Sequence, residues 1–282
     1  MAASGDDGVR AARVSAATAA SLLFVPATRL DRLAKAWGSG ADGVIVDLED
    51  AVGPEDKDRA RAEVAALRPP GPCVLRINGT ATPFGAGDLS LLARLDWLAA
   101  VIVPKVESPE PIAQVRSAMM AEVPVLPLIE SAAALRSVHR IAEAGPSRLV
   151  FGSADYLADL GAEASAEVLA HPRNHLVVAS AAAGLPPPVD GPSLVLDDPA
   201  AVEAEARAVR ALGMGGKLCI HPAQVPAVNA AFYASEEELA WARAVVDASE
   251  RAGGGVFALE GRMVDAPVVR RARRMLDRWQ QQ

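Results

Sequence analysis

Short apolar runs alternate with longer amphipathic stretches along this chain. SLLFVPA (21–27) has the pattern of a buried strand, and TRLDRLAKAWGSG follows with Leu30, Leu33, Ala34 and Trp37 at helical spacing. GVIVDLEDAV is a second strand ending among Asp47, Glu49 and Asp50, and PEDKDRARAEVAAL is an acid-first helix with Pro54 near its start. CVLRING (73–79) predicts a third strand carrying Arg76, and a helix is expected over 88–98. AVIVPKVE (100–107) reads as the fourth strand, before a helix opening at Ser108 and Pro109. VPVLPLI (123–129) and LVF (149–151) are the fifth and sixth, with a helix over 131–145 between them. A long helical stretch (166–184), kinked near Pro172, precedes a weak seventh strand in PPPVDGPSLVL. A capped helix then leads to the eighth, GGKLCIHPAQV (215–225).

Eight strands alternating with helices over 21–232 fit an α/β chain folded as a (β/α)8 TIM barrel. A doubly wound open sheet is the next alternative, but no GxGxxG follows the first strand. Beyond the barrel, SEEELAWARAVVDASERAGG is an amphipathic helix with Ser235 as N-cap and Glu238 in the capping-box position. A hairpin at Glu260-Gly261 and a basic final helix complete a C-terminal helix–strand–helix lid over 233–282, hinged at Gly253, Gly254 and Gly255. Whether it packs on its own barrel or on a neighbouring subunit stays open. Residues 1–20 read as a mobile tail and lack the leucine-rich centre of a signal peptide.

Composition narrows the partners. At 51% hydrophobic residues there is ample material for a core. A net charge of −7 argues against nucleic acid and anionic membranes, and 4% aromatic residues against base stacking. No run is long enough to span a bilayer. Cys73 and Cys219 lie in apolar runs and are expected as buried free thiols, in keeping with a cytoplasmic protein.

The polar residues at the expected strand ends are Glu49, Asp50, Arg76, Lys105, Glu130, Asp155 and His221. A barrel gathers such residues on one face, where carboxylates suit a hard divalent cation and the basic groups an anionic oxygen substrate. Each acid taken singly is also readable as a helix cap or a surface group. Arg76 needs a carboxylate or substrate partner, and a purely structural pair with Glu49 or Asp50 is one possibility. Lys105 at a strand end admits imine chemistry, which the neighbouring acids oppose by keeping its amine protonated. His221 is either a ligand contact or a histidine satisfied by backbone. His139, His171 and His175 fall in helical stretches and read as ordinary.

LFVPATRLDRLAKA, VIVDLEDAV, LRING, VIVPKVES, PLIES, VFGSADY, GKLCIHPAQV and GRMVDAP occur in this order. Together they resemble the HpcH/HpaI aldolase and citrate lyase β-subunit family, and within it the lyases that cleave malyl-CoA or citramalyl-CoA. The resemblance implies a (β/α)8 barrel, dependence on Mg2+ (with Mn2+ as a substitute), a CoA thioester substrate, and a homotrimer or hexamer with lids exchanged between subunits. It implies Glu130 and Asp155 as metal ligands and Arg76 as the contact to the keto acid. Glu49 and Asp50 would stand behind the metal, and Asp265 would be the acid/base of a lid offered to the adjacent subunit. Phe24, Lys35, Ile220 and His221 are implied as contacts to the CoA thioester and its phosphates. Two departures stand out: Ser153-Ala154, where relatives often carry glycine and glutamate, and Asp31, where some carry a basic CoA contact. Other outcomes on the same scaffold are a malyl-CoA thioesterase, a citrate lyase β subunit acting inside a complex, and a non-catalytic binding protein.

Overall fold

The computed structural model describes residue 15 and residues 18–119 and 122–280, without the side chains of 278–280. Most of the expected N-terminal tail lies outside these residues. Eight parallel strands close into a barrel in sequence order: β1 Ser21–Pro26, β2 Gly43–Asp47, β3 Cys73–Arg76, β4 Leu98–Val103, β5 Val125–Ile129, β6 Val150–Phe151, β7 Val189–Asp190 and β8 Gly216–Cys219, which pairs back to β1. The helices are α1 Leu33–Trp37, α2 Lys57–Ala66, α3 Gly85–Leu92, α4 Glu110–Ala118, α5 Ala132–Glu143, α6 Ser153–Leu160, α7 Ala166–Ala182, α8 Pro199–Ala211 and α9 Val225–Phe232. The lid consists of α10 Glu236–Arg251, the antiparallel hairpin β9 Phe257–Leu259 and β10 Arg262–Val264, and α11 Ala266–Gln280.

Alternation along each strand sorts residues between two cores. Leu22, Ile45, Val74, Ile102, Leu128 and Leu218 form one cluster inside the barrel. Leu23, Val46, Leu75, Val101, Ile129 and Cys219 belong to a second, between the strands and the surrounding helices. Counting on by twos places Phe24, Asp47, Arg76 and Glu130 one layer above the apolar filling, at the C-terminal end of the strands. The register agrees, with Phe24 paired to Ile45 and Asp47 to Arg76.

Several expected boundaries move. The helix expected over 88–98 is α3, Gly85–Leu92, and β4 already begins at Leu98. Turn bonds from Arg94 N–H to Leu91 O (2.9 Å) and from Leu95 N–H to Leu92 O (3.3 Å) end the helix, and Trp97 O already accepts from Cys73 N–H (3.1 Å). The fourth strand stops at Val103, so Lys105 lies beyond it. The seventh strand has only two paired residues, and α7 continues as one helix past Pro172.

The lid has its own small core of Ala242, Val245, Val264, Val269 and Ala272, separate from both barrel clusters. Ser235 and Glu238 form the expected capping box. The hairpin turns at Glu260 and Gly261, both with positive φ (50° and 74°), as a two-residue hairpin of this hand requires. Cys73 and Cys219 are buried free thiols. No helix among the described residues is long and apolar enough to cross a membrane.

Candidate active site

The charged layer is organised by Arg76. Its Nε and Nη2 donate to the two oxygens of Asp47 (2.7 and 2.6 Å), a bidentate pair between adjacent strands. Nη1 lies 2.9 Å from Glu49 Oε2 and 3.7 Å from Asp50 Oδ2, and the guanidinium covers the Phe24 ring at 4.7 Å. The Glu49 contact is an ion pair without hydrogen-bond alignment, so this buried Oε2 accepts no hydrogen bond. Asp47 also accepts from the Glu49 N–H (2.9 Å). Arg76 is therefore paired in the protein, chiefly with Asp47, the one acid of the three not singled out for the site. Asp50 is the outlier, more than half exposed.

Lys57, also unremarked in the sequence, fixes the loop after β2 from behind. Its buried ammonium donates to the carbonyls of Leu48 (2.8 Å) and Glu49 (2.7 Å).

Glu130 stands immediately past β5, and Asp155 lies in the first turn of α6, just past β6. Between them is Lys105. Its N–H donates to Glu130 Oε1 (2.6 Å), and its Nζ lies 2.8 Å from Asp155 Oδ1, 3.6 Å from Glu130 Oε1 and 3.8 Å from Glu49 Oε1. Three acids from just past the ends of β2, β5 and β6 thus converge on one point. The other oxygen of Glu130, Oε2, is buried and accepts no hydrogen bond. Gly152 makes room for this side chain, since a Cβ there would stand 2.5 Å from Glu130 Cβ and 2.7 Å from Oε2.

Burial pushes the Glu49 carboxyl up to about 8, against the pull of Arg76. Burial likewise pushes Glu130 up to about 7, against the Lys105 amide and ammonium. For Lys105, burial works to lower the ammonium, but Asp155, Glu130 and Glu49 outweigh it and the net direction is upward. A cluster with more carboxylate than compensating charge favours any cation that reaches it. No set of three His, Cys, Asp or Glu among the described residues forms a complete metal cage. Glu130 and Asp155 would supply two ligands, an arrangement suited to Mg2+, which keeps water and substrate oxygens in its other positions.

The remaining expected residues divide. Phe24 lies inside the barrel beneath Arg76. Ile220 is exposed just past β8, and its N–H is held by Gln224 Oε1 (2.9 Å). His221 is exposed and its Nδ1 accepts from Ala223 N–H (3.2 Å), which makes it the cap of a short turn. Lys35 is exposed on α1. Asp31 is paired with Arg29 at the surface (3.0 Å). Ser153 is buried against Gly191, where a Cβ would fall 2.1 Å from its Oγ. The histidines read as ordinary are in fact neighbours, with His139 and His175 Nε2 atoms 3.3 Å apart.

Asp265 is not joined to this cluster. It caps α11 by accepting from Val268 N–H (3.2 Å). Further along α11, Arg271, Arg274 and Met275 share a groove of about 770 Å3 with Thr18, Ala20 and Gly215. Those residues lead into β1 and β8, so the lid lies at the N-terminal end of the barrel, opposite the carboxylates.

The profile of the HpcH/HpaI aldolase/citrate lyase family matches residues 20–222. The chain belongs to that family. A second profile, a carbon–carbon bond lyase of the TIM-barrel fold, matches residues 189–281, so the lid is included. The chain is 38% identical over 268 residues to a citrate lyase subunit beta-like protein of Mycobacterium tuberculosis, covering 91% of this chain and 94% of that one. It is 32% identical to a (3S)-malyl-CoA thioesterase of Cereibacter sphaeroides, covering 87% and 89%. Among solved structures, the protein CitE of M. tuberculosis in complex with magnesium, acetoacetate and coenzyme A superposes with a TM-score of 0.81 at 37% identity, covering 94% of this chain and 99% of that one. The enzyme is a carbon–carbon lyase.

Proposed function

We propose that this lyase carries out the Mg2+-dependent, reversible retro-Claisen cleavage of a 3-hydroxyacyl-CoA such as malyl-CoA or citramalyl-CoA, giving acetyl-CoA and glyoxylate or pyruvate. The observation that carries this reading is the convergence of Glu130 and Asp155 beside Arg76, with Glu130 Oε2 buried and lacking a hydrogen bond. Those two acids would hold the metal, which when bound supplies a Lewis acid for the oxygen that becomes the keto group.

Arg76, fixed by Asp47, orients the substrate carboxylate and shares the negative charge that develops beside it. Glu49 and Asp50 would stand behind the metal. Phe24, Ile220, His221 and Lys35 line the approach of the thioester and its phosphates. When the C2–C3 bond breaks, the C3 hydroxyl gives its proton to water and becomes the keto oxygen, and the electron pair of the bond moves into the thioester enolate. Asp265, protonated at the outset, delivers its proton to C2 to give acetyl-CoA. In the reverse direction Asp265 removes that proton. Because its own lid lies at the far end of the barrel, Asp265 serves the site of an adjacent subunit in a homotrimer or hexamer. Val256 (70% exposed) and Met263 (71%) give the hairpin an apolar face for that contact.

The test is an assay of the purified protein with Mg2+ and malyl-CoA or citramalyl-CoA that scores keto acid and free thiol separately. Keto acid without free thiol is the expected outcome. Free thiol without keto acid would replace the lyase reading with the thioesterase reading, which the C. sphaeroides relative brings forward. Activity confined to carrier-protein thioesters would place the chain with citrate lyase β subunits instead.

A further inference from the structure

Lys105 has no assigned part in that chemistry, yet it stands at its centre. Its backbone is left-handed (φ 55°), and Glu260 in the lid hairpin is the only other described non-glycine residue with positive φ. Such a conformation persists where its surroundings fix it. Here it directs two donors of one residue onto the acids at once: the N–H to Glu130, and the ammonium to the point where Asp155, Glu130 and Glu49 meet.

The buried lysines are held differently. Lys57 is bound by two backbone carbonyls, and Lys217 is fully buried between Asp190, Glu205 and the Gly191 carbonyl. The three partners of Lys105 Nζ are all carboxylates, and its side chain is 44% exposed. It is the ammonium best able to leave. A divalent cation bound to Glu130 and Asp155 needs oxygens about 2 Å away, on the same carboxylates that surround Nζ. Two cations confined to that point repel each other.

We propose that Lys105 is a resident counter-ion of the carboxylate cluster, displaced toward the mouth of the barrel when a divalent cation enters. This rests on the reading of Glu130 and Asp155 as metal ligands. The backbone N–H of Lys105 keeps Glu130 in position throughout, and the displaced ammonium remains beside the path of an anionic substrate. Lys105 therefore sets the affinity of the site for metal, and it is a positioning residue for the cluster.

Two measurements on metal-stripped protein test this. In the first, Mg2+ binding to the wild type and to Lys105→Met is followed by calorimetry. The variant is expected to bind about fivefold tighter or more, because a competing cation has been removed. In the second, which needs no variant, amines of the wild type are acylated briefly with and without Mg2+, and each lysine is quantified by peptide mass spectrometry. Lys105 labelling is expected to rise at least about twofold with Mg2+, as the ammonium leaves its acids, while Lys35 stays constant. Unchanged or weaker Mg2+ binding in Lys105→Met, or Lys105 labelling that is unchanged or lower with Mg2+, overturns the displacement while leaving the metal site intact. No Mg2+ binding to the wild type up to about 10 mM would overturn both, beginning with the metal reading itself.

Discussion

At the scale of single residues, the site depends on side chains and on one missing side chain. Gly152 is followed directly by α6, and any Cβ there would fall within 2.5–2.7 Å of Glu130. Gly152→Ala is expected to push Glu130 from its place and to cost about 1–3 kcal/mol of stability, as overpacking does. Thermal melts and Mg2+ titration calorimetry check it, and an unchanged melt with unchanged binding would contradict the role given to this glycine. Asp47 was also readable in principle. Counting by twos from the interior position Ile45 gives Asp47 and Glu49 as inward-facing acids and leaves Asp50 outside, which is how their exposure falls. The left-handed turn at Lys105 was not readable, since lysine carries no preference for it and the acids that hold it come from other strands.

At the scale of elements, apolar runs located every barrel strand but the seventh, because a strand buried on both faces has few polar interruptions. By contrast, β7 is only Val189–Asp190, and the apolar Leu194, Val195 and Leu196 beyond it are exposed. Ends were harder. Leu91, Leu92, Leu95 and Leu98 keep a helical spacing after the helix has stopped, and it is the pairing of Trp97 with Cys73 that decides where β4 begins. Caps, by contrast, are local chemistry and were legible: Ser235 accepts from Glu238 N–H (3.1 Å), and Glu238 accepts from Ser235 N–H (3.0 Å). Ser235→Ala is expected to destabilise α10 by about 1 kcal/mol. Because the lid has a separate core, the change should appear as faster proteolysis near Gly253, Gly254 and Gly255 with the barrel still resistant. Equal loss of both parts would mean that lid and barrel unfold as one.

At the scale of the whole molecule, the placement of α11 at the N-terminal end of its own barrel separates Asp265 from the acids it is proposed to serve. Asp265→Asn and Arg76→Gln should each abolish turnover alone. Mixed under conditions that exchange subunits, the two inactive variants should recover about a quarter of wild-type activity, from sites that combine an intact barrel with an intact neighbouring lid. No recovery in mixtures proven to exchange would return Asp265 to its own chain.

The filling of the barrel has an electrical consequence. Below Arg76 and Asp47 lie Leu22, Ile45, Val74, Ile102 and Leu218, a hydrocarbon floor that screens charge poorly. Above them is water. Field lines from the charged layer are not dissipated downward, and the walls of the cup direct them outward through its rim. Because Arg76 is already paired with Asp47 and the layer holds more carboxylate than compensating charge, that focused potential draws a small cation toward the acids, and a bound cation would in turn make the rim receptive to an anion.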